Sequence, residues 1–259
     1  MRVSAAQGGR EELGSSLMDR FLNALHYPVT RAYAHYYTGF EDEIARLLRM
    51  IVRHCKQDWL VADLGCGHAS FVTPWRQFCR RLIGIDVSPG IRDSAWVEFK
   101  VRGDVYQLPL PTNSVDLVIM RYVLEHLEDP LEALREAARV LRPGGKLVLL
   151  TPNRRHYVCL VARMTPHWFH RWFSAHYGRF DDDVSPTRYR ANTPRRLREV
   201  ASRAGFRITE LELYEAPPGY LGWFWPAYML GVAYERLVNR FEALASLRVS
   251  ILATLQKTS

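Results

Sequence analysis

Apolar positions along the chain switch repeatedly between two spacings, and the switches mark the elements. From Glu41 to Lys56, Ile44, Leu47, Leu48, Ile51 and Cys55 recur every three or four residues, with acids at the start and Arg53, His54 and Lys56 at the end. That pattern predicts an amphipathic helix whose charges suit its dipole. Short apolar runs follow. Trp59–Leu64, Leu82–Val87, Val97–Val101, Val115–Met120 and Lys146–Thr151 read as strands, with helices near Ser70–Arg80 and Asp129–Leu141 between them. The second of these helices has Asp129 as N-cap, Pro130 in its first turn and Pro143-Gly144-Gly145 as terminator. Further on, Thr193 caps a helix from Pro194 to about Ala204 with Gly205 after it, and strands follow at Phe206–Tyr214 and Leu247–Gln256. Strands this apolar, separated this regularly by helices, predict an α/β domain: a mostly parallel sheet with helices on both faces.

Two stretches interrupt the alternation, 154–189 and 216–246, and are read as helical cap insertions. The expected organisation is an N-terminal arm and cap (1–40), a core (41–153) and the remainder of the same domain (154–259). With 259 residues, 48% of them apolar and 24% charged, the chain has material for one sizeable core and is neither disordered nor collagenous.

The net charge of +8 is unevenly placed. Up to Asn153 there are 19 Lys+Arg against 18 Asp+Glu; from Arg154 onward there are 16 against 9. Residues 154–207 hold twelve arginines, no lysine and four acids. Four cysteines without a CxxC pair give no zinc ladder or disulfide framework, so no metal is expected and the thiols read as reduced, in a cytoplasmic protein. The first residues lack the apolar stretch of a secretory leader. The uncharged run 216–234 contains three prolines, which disfavours a membrane-spanning helix.

The chemistry-bearing residues cluster at strand ends. The first strand ends in Asp63-Leu64-Gly65-Cys66-Gly67, two glycines that let the backbone turn sharply and approach a ligand. The second ends in Asp86, 21 residues after Gly65, where a carboxylate accepts from ribose hydroxyls. The third ends near Asp104 and Val105. A dinucleotide fold would carry a third glycine at position 70, where this chain has Ser70. Asp63 ahead of the turn would repel a pyrophosphate and attract a cationic ligand such as an α-ammonium group. A nucleoside joined to an amino acid fits better than NAD(P), although an NAD(P)-dependent oxidoreductase stays as the alternative enzyme class.

The blocks VADLGCGHA (61–69), IGIDVSP (83–89), GDVYQLPLP (103–111), VDLVIMRYVLEHLEDP (115–130) and LRPGGKLVLLTPN (141–153) resemble the class I S-adenosylmethionine-dependent methyltransferases of the bacterial group that includes quinone-biosynthesis enzymes. The resemblance implies a Rossmann-like class I fold with a seven-stranded sheet, its last strand antiparallel and inserted next to the fifth. It also implies S-adenosyl-L-methionine as cofactor. By position, Gly65, Cys66 and Gly67 would pass under its methionine part with Asp63 near the ammonium. Asp86, with Val87 beside it, would hold the ribose; Asp104 and Val105 would meet the adenine; Met120 and Arg121 would face the sulfonium. Ala69 departs from the family's frequent third glycine.

A hydroxyl acceptor must lose its proton, and His126, just after the fourth strand, is the candidate base. Tyr122 and Asn153 are candidates for lining the acceptor pocket, and His68 and His156 are read as incidental. Trp168 and Trp172, at helical spacing among His and Arg, are candidate acceptor contacts. This basic, aromatic end suits a lid over a small or lipid-like metabolite, methylated at oxygen, or docking to an anionic membrane surface. Nucleic acid is disfavoured as partner, because Arg121-Tyr122-Val123-Leu124 stands where base-amine methyltransferases carry Asn/Asp-Pro-Pro-aromatic. A methyltransferase-like binding module without turnover is the non-enzyme alternative.

Overall fold

The computed structural model describes residues 33, 35–37, 41–67, 74–93, 97–164, 186–222 and 224–258. Helix α1 (Glu43–His54) opens at Asp42, whose Oδ1 accepts from Ala45 N at 2.7 Å. Strands β1 (Leu60–Leu64), β2 (Arg81–Asp86), β3 (Phe99–Arg102) and β4 (Val115–Arg121) follow. Helix α2 (Pro130–Val140) begins where the sequence places it, with Asp129 Oδ1 accepting from Leu131 N and Glu132 N. Then come β5 (Leu141–Pro152), α3 (Tyr157–Met164), α4 (Pro194–Arg203), β6 (Phe206–Tyr214), α5 (Trp225–Arg240) and β7 (Ser250–Lys257).

The strands pair in the order β3-β2-β1-β4-β5-β7-β6. β1 to β5 are parallel, while β7 runs antiparallel between β5 and β6. This is the Rossmann-like sheet expected of the chain, with its last strand inserted beside the fifth. Leu147 and Leu149 of β5 share one core cluster with Ala133, Leu134 and Ala137 of α2 and Leu197, Val200 and Ala201 of α4. Their fully buried neighbours Val148 and Leu150 point to the opposite face, and α1 packs on β5 and β7. Strand order reverses between β1 and β4, which opens a crevice at their carboxyl ends, the usual ligand position in such sheets.

Four local expectations change. β5 begins five residues early, because Pro143-Gly144-Gly145 does not merely stop α2 but forms a kink within the strand. Gly144 has φ +75°, and the register against β4 shifts between Val115 and Leu117. The helix expected over Ser70–Arg80 is, in its described part, a 3-10 turn at Pro74–Phe78. Only two residues separate that turn from β2, too few for a further α-helical turn. The last strand starts at Ser250 instead of Leu247, since Glu242–Leu247 forms a 3-10 turn and Arg248 is drawn aside to bond Val238 O. The third strand starts two residues later and ends one later than expected, at Phe99–Arg102. Trp168, Trp172 and most of the first insertion lie outside the described residues.

Two compact units are distinguished: Glu41–Ala216 with Glu235–Ser259, and Met1–Phe40 with Pro217–Tyr234. The larger holds the whole sheet. In the smaller, Tyr37, Tyr228 and Val232 are buried together. No described helix is long and apolar enough to cross a membrane.

Candidate functional site

The turn after β1 is shaped by close approach. Gly65 has φ +66°, its N–H donates to Ile85 O at 2.7 Å, and a Cβ there would lie 2.3 Å from Val123 Cγ2. Any side chain would push the turn off the segment that joins β4 to the next 3-10 turn. Among the described residues the space in front of Gly67 is open, with no atom within 4 Å of where a Cβ would sit. Asp86, half-buried at the end of β2, ties this turn to the next: Oδ2 accepts from Gly67 N and Oδ1 from Ser88 N, each at 2.8 Å. Each oxygen keeps a further lone pair for a ligand hydroxyl.

Asp63 is buried at 2% exposure near the end of β1. Burial pushes the Cys66 thiol far up, and the negative charges of Asp63 and Asp86 push it further. The turn therefore sits in a negative field, which suits a cationic ligand and opposes a pyrophosphate. Val87 is exposed in front of the turn. Asp104 is exposed as well and closes its own turn, Oδ1 accepting from Tyr106 N at 3.0 Å, with Val105 half-buried beside it. Met120 has no exposed surface, so its side chain belongs to the core and only its backbone reaches the rim. Arg121 is half-buried there. Tyr122 follows with φ +57° while donating its N–H to Leu150 O at 2.8 Å.

Beyond β4 a short 3-10 turn, Leu124–His126, presents His126 at the rim. Its ring is about one-third exposed, with Nδ1 3.4 Å from Pro186 O and Nε2 4.0 Å from Glu125 Oε1. Glu125 itself is buried, and burial raises its pKa to about 7. Asn192 Nδ2 donates to Thr151 Oγ1 at 2.6 Å, so the Thr151 hydroxyl proton goes to Glu125 Oε2 at 3.0 Å. When protonated, Glu125 therefore carries its proton on Oε1, the oxygen nearest His126.

Asn153 has no exposed surface. Its Nδ2 donates to Ser246 O and Arg248 O, both at 2.8 Å, and its Oδ1 accepts from Arg155 N. Its amide is committed to holding the backbone. His156, read as incidental, is buried against Glu215 with Nε2 3.2 Å from Oε1, while its Nδ1 accepts from Val158 N at the start of α3. Burial raises the Glu215 pKa. Glu125, Asn192 and Glu215 were not singled out in the sequence. Of the three, only Glu125 left a signal, a charge one residue from the candidate base. His68 lies outside the described residues.

The geometry brings a Gly-x-Gly turn, the Asp86 carboxylate and the His126 turn to the carboxyl ends of neighbouring strands. Residues 62–149 match the family described as "Methyltransferase domain". This segment is a methyltransferase domain of class I fold. Malonyl-[acyl-carrier protein] O-methyltransferase of Serratia marcescens is 34% identical over 110 residues, covering 41% of this chain and 42% of that protein. Ubiquinone biosynthesis O-methyltransferase of Xanthomonas oryzae pv. oryzae is 28% identical over 135 residues, 49% of this chain and 56% of that one. Matched segments span between 29% and 56% of the first curated relatives' lengths. A solved S-adenosylmethionine-dependent methyltransferase from Mesorhizobium loti superposes with TM-score 0.51 at 17% identity, covering 82% of this chain and 97% of that one. The fold likeness therefore extends well past the segment in which the methyltransferase domain is matched.

Proposed function

We propose that the protein transfers a methyl group from S-adenosylmethionine to an oxygen of a small or lipid-like metabolite. The observation that carries the cofactor reading is the Asp86 carboxylate, fixed by Gly67 N and Ser88 N at the switch point. When bound, the sulfonium supplies the reactive methyl carbon. The chain aligns, excludes water and handles a proton. Asp63 and the Gly65–Gly67 turn hold the amino-acid part, Asp86 the ribose, and the Asp104–Val105 turn the base. His126 takes the acceptor hydroxyl's proton at Nε2, its Nδ1–H directed to Pro186 O. The oxygen preference draws on the named O-methyltransferase relatives, and the lipid-like or membrane-surface preference on the arginines that follow β5.

Calorimetric titration with S-adenosylhomocysteine tests the reading. Asp86→Ala should weaken binding at least about 100-fold, the loss of two charge-assisted hydrogen bonds, while the chain stays folded. Undiminished affinity defeats the ribose assignment, and tight NADH binding in its place would transfer the site to the oxidoreductase class. Incubation of a metabolite extract with labelled methyl donor then identifies the acceptor.

A further inference from the structure

At the carboxyl edge of β5 lies a cavity of about 480 Å³, lined by Arg154, Arg155, Leu160, Thr193 and Leu247. Both arginines are exposed, and no carboxylate among the described residues pairs with either guanidinium. Several other arginines at this end have acids: Arg188 pairs with Glu128, Arg196 and Arg203 with Glu199, and Arg248 with Glu242. Two neighbouring guanidiniums on one cavity, uncompensated among the described residues, leave a local positive potential there.

Their backbone is held from below. Arg154 N donates to Asn192 O at 2.9 Å and Arg155 N to Asn153 Oδ1 at 3.1 Å, and both asparagines are buried. The two side chains thus leave a fixed turn, which lowers the ordering cost of gripping a ligand. Thr193, the N-cap of α4, brings the positive end of a ten-residue helix to the same wall. The other lining is apolar: Leu160 is 47% exposed into solvent, and Leu247 is half-buried.

The geometry points to this cavity as the subsite for an oxyanion head, a phosphate or carboxylate, borne on an apolar chain. Resting on the methyltransferase reading, it names the acceptor class as an anionic amphiphile. Guanidinium forks match either oxyanion bidentately, and the leucines cover the first carbons of the chain. The buried Asn153 then acts as a positioning residue for Arg155.

The test titrates the full chain with octyl phosphate, octanol and inorganic phosphate, and separately with S-adenosylhomocysteine. Octyl phosphate should bind at least about tenfold tighter than either fragment, because head and chain are recognised together. The double substitution Arg154→Ala/Arg155→Ala should weaken it by about 10- to 100-fold, with melting temperature and S-adenosylhomocysteine affinity unchanged. Arg154→Lys/Arg155→Lys should restore part of the loss, since charge returns without the fork. Octanol binding as tightly as octyl phosphate, or a double variant within twofold of the parent, overturns the assignment. Sedimentation with phosphatidylglycerol vesicles distinguishes the source. Arginine-dependent pelleting identifies a lipid headgroup, and octyl phosphate binding without pelleting identifies a free metabolite; either supports the subsite. Arginine-dependent octyl phosphate binding in a chain that ignores S-adenosylhomocysteine would leave the subsite standing and remove the methyltransferase reading alone.

Discussion

Glu125→Gln separates the burial of a side chain from the burial of a charge. Glu125 is 3% exposed, accepts from Thr151 Oγ1 at 3.0 Å, and has its pKa raised by burial from 4.5 to about 7. Between those values the folded protein retains a proton that the unfolded chain has released. Stability therefore falls as pH rises through that window and levels off above it. The full difference amounts to about 3 kcal/mol between the protonated and ionised states. Glutamine keeps the acceptor for Thr151 and cannot ionise. The variant should match the parent near the lower end of the window and exceed it by up to about 3 kcal/mol at mildly alkaline pH. Urea unfolding followed by tryptophan fluorescence at a series of pH values measures this directly, and subtracting the two chains cancels every other titrating group. A pH-independent difference, or a variant that loses ground as pH rises, refutes the reasoning and returns Glu125 to an ordinary solvated carboxylate.

Other substitutions follow from the same geometry. Gly65→Ala combines a left-handed backbone with a methyl 2.3 Å from Val123 Cγ2 and should cost about 2–4 kcal/mol by thermal melting, partly recovered by Val123→Ala; an unchanged midpoint removes the close approach. Asn153→Ala strands the carbonyls of Ser246 and Arg248 and frees Arg155 N, so urea unfolding should show a loss of about 2–4 kcal/mol. A loss below about 0.5 kcal/mol would mean the amide is not structural. His126→Gln should lower methyl transfer by about 100-fold or more while S-adenosylhomocysteine affinity stays within about twofold; full turnover removes the histidine as base.

The parts of this molecule legible in the sequence are those whose cause is local. Asp129 caps α2 and Thr193 caps α4 because a cap needs only its own next three residues. The Gly65-Cys66-Gly67 turn and Asp86 could be placed because a strand, a turn and the next strand end lie within one short repeat. Pro143-Gly144-Gly145 misled for the same local reason: the triplet stops a helix in isolation, yet pairing with β4 absorbs it as a kink in β5. Asn153 misled in the other direction. Its place just beyond a strand's carboxyl end suggested the acceptor pocket, but residues 246 and 248, brought back by the antiparallel β7, occupy its amide.

The surroundings of His126 and His156 are long-range throughout. Glu125 accepts from Thr151 and Thr151 in turn from Asn192, steps of 26 and 41 residues along the chain, and His156 is buried against Glu215. No periodicity within α2 or β5 encodes those partners. What connects them is topology. Parallel strands deliver β4 and β5 to the same edge, and β7, running the other way, returns Ser246 and Arg248 to that edge from the far end of the chain. The inserted strand thus does more than complete a sheet. By fixing Asn153 it fixes Arg155, and through the turn it anchors the two guanidiniums of the proposed subsite. If the proposed subsite holds, an excess of positive charge counted along the chain owes its placement to an antiparallel strand that immobilises the residue before it.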